Sequence, residues 1–388
     1  MKFAKRMDQF GPSIFTTLAD LRKERTAKGL PVYDFSIGAP NIPPAPHIIQ
    51  ALVDAAQDTR NYVYAIGDTA ELREAVAEWY KRRFDVTIDP KTMVTSLLGS
   101  QDGLAHLALT IANEGDLVMV PDPCYPIFAD GPRLAGARLY YMQLKEEKDY
   151  LIDFDEIPEE VAREAKLMVV SYPNNPTTAL APSWWYEKLI AFAKKYDIIV
   201  LHDNAYSELV FDGKTTGSFL QYEGAMEVGV EFNSLSKTYG LAGARIGFCI
   251  GNPEITGKLA LLKSNIDYGM FLPVQKMAVA ALRGDQSCVA DVNKAYERRR
   301  NCLCDGLTEI GWDVPRCIST MFVWAAIPPK FKDSVAFTME LLNRTGVVVT
   351  PGAAFGPSGE GHVRMALVQD EETIRAAIRA IKDSGILD

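Results

Sequence analysis

The sequence predicts an α/β fold, a mostly parallel sheet sandwiched by helices, with a smaller α+β domain beside it. Three observations lead there. Short runs rich in Val, Ile and Leu recur at 93–98, 117–120, 138–144, 167–172, 198–203 and 245–250. Several are separated by stretches of helical period, as at 102–113 and 184–196, and such alternation builds parallel sheets through crossover connections. After Ala280 the order changes to a long charged helix over 289–310, strand-like runs at 321–327, 347–350 and 362–367, and a last helix from Glu371. The expected division is a large domain over 40–280 and a small one made of 1–39 plus 281–388. Another helix is expected after Asp68, read as its N-cap, because the stretch TAELREAVAEWYKRRF carries acid early and base late.

Composition narrows the function. The chain has 388 residues, of which 48% are hydrophobic and 23% charged, enough of both to bury a core and cover it. A net charge of −9 leaves no global positive field for nucleic acid or an anionic membrane. The uncharged run 167–186 contains Pro173, Pro176 and Pro182 and does not suit a membrane helix. The opening MKFAKRMDQFGPS lacks the apolar stretch of a secretory signal, so a cytoplasmic protein without membrane or nucleic-acid partners is expected. Six Cys without a C-x-x-C spacing read as reduced thiols. His47, His106, His202 and His362 show no ligand spacing; no metal is expected, and each is read as structural or solvent-facing.

Open parallel sheets bind ligands outside the carboxyl ends of their strands, so the residues ending each run carry the argument. Leu98-Gly99-Ser100-Gln101-Asp102-Gly103 is either a phosphate turn at a positive helix end or a glycine turn with a serine N-cap. Prolines flank Tyr125 and Asn175, which fixes a ring and an amide or makes ordinary turns. Asp203 ends an apolar run with Tyr206 three residues on; it either caps a helix or, poorly exposed, needs a cationic partner. Lys237 lies in an apolar, glycine-rich stretch with Arg245 eight residues later, a setting for a nucleophile or base. Ser234-x-x-Lys237 also fits serine β-lactamases, but their Ser-Asp-Asn and Lys-Thr-Gly are absent. A dehydrogenase lacks its Gly-x-Gly-x-x-Gly support.

In this order the phosphate turn, aromatic ring, Asn, Asp, Tyr, Lys and Arg resemble the pyridoxal-phosphate aminotransferases of the aspartate aminotransferase superfamily, fold type one, class I and II. The resemblance runs from Ser36-Ile-Gly-Ala-Pro through Ser-Leu-Ser-Lys-Thr-Tyr-Gly-Leu-Ala-Gly to Pro351-Gly-Ala-Ala-Phe-Gly and His362-Val-Arg-Met. It implies pyridoxal 5'-phosphate as cofactor and ping-pong transfer of an amino group between an L-amino acid and a 2-oxo acid. It implies that Lys237 carries the cofactor covalently and moves the substrate proton, that Asp203 pairs with the pyridinium nitrogen, and that Tyr206 and Asn175 bond the phenolic oxygen. Tyr125 would stack on the ring, and Ser100, Gln101, Ser234 and Arg245 would hold the phosphate. Tyr64, in preference to Tyr62, would reach the neighbouring subunit's phosphate in a homodimer with shared active sites. Arg364, with Asn175 and the backbone at Gly38, would bind the substrate α-carboxylate.

Two departures stand out. Thr178 replaces the glycine of the usual Asn-Pro-x-Gly, and Asn41 follows Pro40 where acid is more usual. The run 77–125 is most similar to the diaminopimelate aminotransferase-like branch. The same residues would serve a carbon–sulfur β-lyase. A non-enzymatic sensor would require a DNA-binding module ahead of Ser36, where the residues are few and not strongly basic.

Overall fold

The strand Ala165–Ser171 shows how the large sheet is held. Leu167 and Val169 enter one apolar layer and Met168 and Val170 the other, so both faces are buried and the run reads as continuously apolar. The computed structural model describes residues 1–11 and 14–388; Pro12 and Ser13, inside the expected small domain, lie outside the described residues. In chain order the strands are β1 (Tyr33–Asp34), β2 (Val94–Leu97), β3 (Leu117–Asp122), β4 (Arg138–Gln143), β5 (Ala165–Ser171) and β6 (Ile199–Asp203). They continue with β7 (Gly229–Ser234), β8 (Gly247–Gly251), β9 (Phe322–Ala326), β10 (Val347–Val348), β11 (Thr350–Pro351) and β12 (His362–Ala366).

Seven strands form one sheet in the order β2-β8-β7-β6-β5-β3-β4, with β8 antiparallel to both neighbours and the other pairings parallel. Helices Ala70–Phe84, Ser183–Tyr196 and Leu272–Arg283 cover one face through Trp79, Tyr80, Trp185, Leu189 and Met277. Helices Ser100–Ile111, Ile127–Leu134 and Pro253–Ser264 cover the other through Leu104, Leu107, Phe128 and Leu259. A separate core gathers Phe35, Tyr296, Leu303, Phe337, Met365 and Ile378 around the antiparallel sheet β11-β12-β9. The amino-terminal β1 pairs in parallel with β10, Tyr33 opposite Val347. Helix Leu272–Arg283 runs through position 280, so the boundary expected there falls inside an element whose apolar face continues to Leu282.

The expected apolar runs each hold a strand, and 347–350 holds the two short strands β10 and β11. β7 was not among them. Its Glu231 and Asn233 alternate with Val230 and Phe232, so a buried strand with one polar face lacks the apolar signature. Two caps differ from expectation. Thr69, not Asp68, caps Ala70–Phe84 by accepting from the Leu72 amide at 3.2 Å; Asp68 instead accepts from the amide and hydroxyl of Ser96 in β2. Gly99, at φ +80°, occupies the N-cap position of Ser100–Ile111, which makes Ser100 the first helical residue.

Helices Ser100–Ile111 and Ile127–Leu134 approach tightly at Gly131, where a Cβ would stand 2.4 Å from the Leu104 carbonyl oxygen. Gly131→Ala is expected to lower the unfolding free energy by about 1–3 kcal/mol, read as a lower urea midpoint at unchanged m-value. Gly257→Ala, in a helix with nothing within 4 Å, should instead hold or raise the midpoint.

Candidate active site

The reversal of β8 decides what meets at one edge of the sheet. Strands β2, β3, β5, β6 and β7 deliver their carboxyl ends there, and β8 delivers its amino-terminal approach, Arg245. The residues leaving those ends line a cavity of about 510 Å³, closed on its far side by Ser36–Ala39, Phe322 and Arg364. It gathers Gly38, Ser100, Gln101, Tyr125, Asn175, Asp203, Tyr206, Ser234, Lys237, Arg245 and Arg364, all expected from the sequence. Tyr64 lies elsewhere, exposed, with its ring 6.2 Å from that of Tyr268.

One end of the cavity is built for an oxyanion. A Cβ at Gly99 would come within 2.3 Å of Arg245 Nη2, so the guanidinium lies across a bare backbone. Arg245 itself sits at φ +56° and donates to the carbonyls of Ala242 at 2.9 Å and Leu98 at 3.1 Å. The Ser100 hydroxyl at the helix start is buried and, among the described residues, has no partner. A guanidinium, a helix amino terminus and a spare hydroxyl together suit a phosphate. Ser234, whose hydroxyl accepts from the Ser236 amide at 3.1 Å, stands beside them.

The same cavity presents a carboxylate. Asp203 is 6% exposed, its Oδ1 lacks a partner among the described residues, and burial followed by the charge of Glu231 pushes the carboxyl up to about 7. A hydrogen bond from the Ala205 amide works against that rise, no helix follows for Asp203 to cap, and no cation figures among the groups that shift it. Lys237, which lines the same cavity, donates from Nζ to the Gly38 carbonyl at 2.7 Å. Burial, then Arg364 and Arg245, lower its ammonium to about 8, so a neutral amine is available near physiological pH. The Tyr125 hydroxyl donates to Gln101 Oε1 at 2.9 Å, and burial raises the phenols of Tyr125 and Tyr206.

Arg364 is buried, yet its acceptors are neutral: Asn175 Oδ1 and the Ser36 carbonyl, each at 3.0 Å. Its guanidinium stacks between Phe322 at 4.0 Å and Phe355 at 4.6 Å, and burial lowers it to about 10. A desolvated fork whose acceptors are neutral suits a carboxylate. Thr178 keeps the left-handed backbone that suits glycine, at φ +66°; its amide donates to Asn174 at 2.9 Å and its carbonyl accepts from Ser319 at 2.7 Å.

Sequence reasoning missed Ser36, Phe322, Phe355 and Glu231. Ser36 opens a quoted motif and could have been found; the aromatic pair meets Arg364 only through tertiary packing, which leaves no local signal. His106 has a carboxylate neighbourhood that sequence reasoning did not describe: its ligand atom lies within 4.8 Å of those of Asp102 and Asp267. The sequence hid this because Asp267 is distant along the chain. Lys263 Nζ bonds both carboxylates, at 2.7 Å to Asp267, and so already supplies the cluster's positive charge.

The donor set fits pyridoxal 5'-phosphate: one cavity holds a cradle for an anion, a proton-holding carboxylate with a spare oxygen, a lysine amine and a phenol ring. Burying Asp203 has a consequence for stability. Well below its unfolded value of about 3.9 both states hold the proton; from there to about 7 only the folded chain does, so stability falls as pH rises and the cost is complete above about 7. That cost is at most about 4 kcal/mol. Asp203→Asn should therefore raise the melting temperature of the cofactor-free protein above neutrality and leave it near wild type in acid, as calorimetry at the two extremes would read.

Comparison with known proteins agrees with this geometry. The family described as Aminotransferase class I and II matches residues 31–381. An LL-diaminopimelate aminotransferase of Syntrophobacter fumaroxidans is 45% identical over 382 residues, covering 98% of each chain. The glutamate-pyruvate aminotransferase AlaC of Escherichia coli is 42% identical, covering 97% of this chain and 92% of that one. The solved structure of substrate-bound BacF from Bacillus subtilis superposes with a TM-score of 0.96 at 36% identity, over 99% of this chain and 98% of that chain. A family match spanning the cavity's residues from Ser36 to Arg364, with identities above 40% over nearly the full length, establishes that the chain belongs to the class I and II aminotransferases, enzymes that work with pyridoxal phosphate.

Proposed function

We propose that this aminotransferase moves the α-amino group of an L-amino acid to a 2-oxo acid with its substrate anchored on Arg364. The observation that carries the reading is the buried guanidinium with only neutral acceptors, in the same cavity as Lys237. A substrate α-carboxylate would complete its fork, beside Asn175 and the Gly38 backbone, and so orient the amino group toward Lys237. When bound, pyridoxal phosphate supplies an electron sink that lets a proton leave the substrate α-carbon. Lys237, once free, takes that proton, because its lowered basicity keeps a useful neutral fraction. Asp203 holds a proton at the ring nitrogen, Tyr206 and Asn175 bond the phenolic oxygen, and Tyr125 stacks on the ring. Ser100, Gln101, Ser234 and Arg245 hold the phosphate.

The same reading divides the chain into a large domain that starts near residue 40 and keeps the whole helix Leu272–Arg283, and a small one made of 1–39 plus the chain beyond that helix, with Gly38 and Arg364 on the small side. It also makes the enzyme a homodimer. Tyr62, Val63, Tyr64, Ile66, Ile266 and Tyr268 expose an apolar patch that a second copy would cover, with Tyr64 entering the partner's phosphate site. Six free cysteines suit the reducing cytoplasm. No helix among the described residues is long and apolar enough to cross a membrane. The relatives are named for LL-diaminopimelate, glutamate and pyruvate, and we propose that the substrates come from this group.

A half-reaction tests the chemistry. The loaded enzyme is mixed with LL-diaminopimelate, glutamate or alanine, without oxo acid, and cofactor absorption, oxo acid and ammonia are followed. One equivalent of oxo acid with loss of the lysine-bound absorption is expected; continued ammonia release would make the enzyme a lyase and overturn the proposal. Arg364→Leu should weaken binding of amino and oxo acids alike by about 2–5 kcal/mol while leaving cofactor absorption in place. For the dimer, sedimentation should give twice the chain mass, and Tyr64→Phe should weaken cofactor affinity without changing that mass; a monomer with full activity would refute the shared site.

A further inference from the structure

Behind Asp203, on the opposite face of the sheet, lies a carboxylate that the reaction as described does not use. Glu231 is on β7, paired with His202 of β6, while Asp203 pairs with the next residue, Phe232. Since side chains alternate along a strand, Asp203 and Phe232 face the cavity side and His202 and Glu231 the other. Both His202 and Glu231 are fully buried. Glu231 accepts from Tyr80 at 2.8 Å, from the Ser218 hydroxyl at 2.9 Å and from the Phe219 amide at 2.8 Å, and its Oε2 lies 3.0 Å from His202 Nδ1. Tyr186 covers the remaining imidazole nitrogen at 3.4 Å.

Acceptance from two hydroxyls, an amide and an imidazole satisfies an ionised carboxylate better than any neutral side chain of that size. Burying one is nonetheless costly, and apolar packing would hold the layer between helices Ala70–Phe84 and Ser183–Tyr196 as well. Its field is the feature packing cannot replace. Burial is the larger cause of the raised Asp203 carboxyl, and Glu231 is the charged group that adds to it. On the cavity side Lys237, Arg245 and Arg364 line the same cavity with Tyr125 and Tyr206, yet none of the three cations figures among the groups that shift Asp203. Behind the sheet the facing groups are His202, Tyr80 and Tyr186.

We infer that Glu231 is a positioning residue for the reaction: from behind the sheet, on the neighbouring strand, its charge strengthens the hold of Asp203 on the proton of the cofactor's ring nitrogen. This rests on the reading that Asp203 meets that nitrogen. It differs from a structural role in what it predicts, because the charge acts on Asp203 whether or not each of its hydrogen bonds is kept.

The test compares Glu231→Gln, which removes the charge, with Tyr80→Phe, which removes one hydrogen bond and keeps it. In the full chain without cofactor, the Asp203 carboxyl is titrated by carbon NMR; in the holoenzyme, the ring nitrogen is observed with nitrogen-15 pyridoxal phosphate. Glu231→Gln is expected to lower the Asp203 midpoint by about 0.5–1 pH unit, three- to tenfold in proton affinity, and to move the ring resonance toward its unprotonated position. Tyr80→Phe should leave both at wild-type values. If Glu231→Gln does not fold, the apolar pair Y80F/E231L carries the same comparison. Unchanged midpoint and resonance with only a lower melting temperature, or equal shifts in both variants, overturns the inference. Asp203→Asn separates the two readings: if it too leaves the ring resonance unmoved, the placement of Asp203 fails; if it alone moves it, only the role of Glu231 fails.

Discussion

Everything in the cleft depends on keeping charged groups dry without letting them neutralise one another. Asp203, Lys237 and Arg364 line one cavity, yet Lys237 rests on a backbone carbonyl and Arg364 on a carbonyl and an amide oxygen. An ion pair among them would be more comfortable and would leave nothing for a ligand to satisfy. The neutral acceptors come from Ser36 and Gly38, which enter the cleft from the strand β1 side, so the distant amino-terminal segment is part of the electrostatics and not just of the packing. Two buried sheet faces supply the stability against which such groups can be held.

Topology explains why one edge can host so many functions. Parallel strands bring only carboxyl ends to that edge, which supply turns, helix amino termini and short polar side chains. The reversed β8 adds the residue that precedes a strand, and here that residue is a guanidinium. Arg364 arrives from a third direction, on the antiparallel sheet, and bonds the Ser36 carbonyl across 328 positions of sequence. Convergence of this kind ties the separation of the Arg245 and Arg364 guanidinium groups to the rigidity of the packed cores.

How much of this could be read from the chain depends on whether the signal is local. The strands that are apolar on both faces, the glycine-serine turn and the Ser-Leu-Ser-Lys stretch announce themselves within ten or so residues, and the cavity gathers what they promised. β7 did not, because its buried polar face imitates a surface strand. Asp68 was misread as a cap because a carboxylate before a helix serves equally well to tie down a neighbouring strand. Phe322 and Phe355 around Arg364 are contacts of tertiary packing, and no spacing in the sequence encodes them. Thr178 is the reverse case: its identity suggested a changed turn, whereas the hydrogen bonds of its peptide groups keep the backbone on the glycine-like path.

Gly99 and Arg245 are bound to each other by complementary oddities, one a missing side chain and the other a long side chain on a left-handed backbone. Neither position can drift alone. A methyl group at 99 would evict the guanidinium, and a residue that relaxes the backbone at 245 would leave the bare turn open to water. The two positions therefore form one unit, and a substitution at either carries its effect to the other.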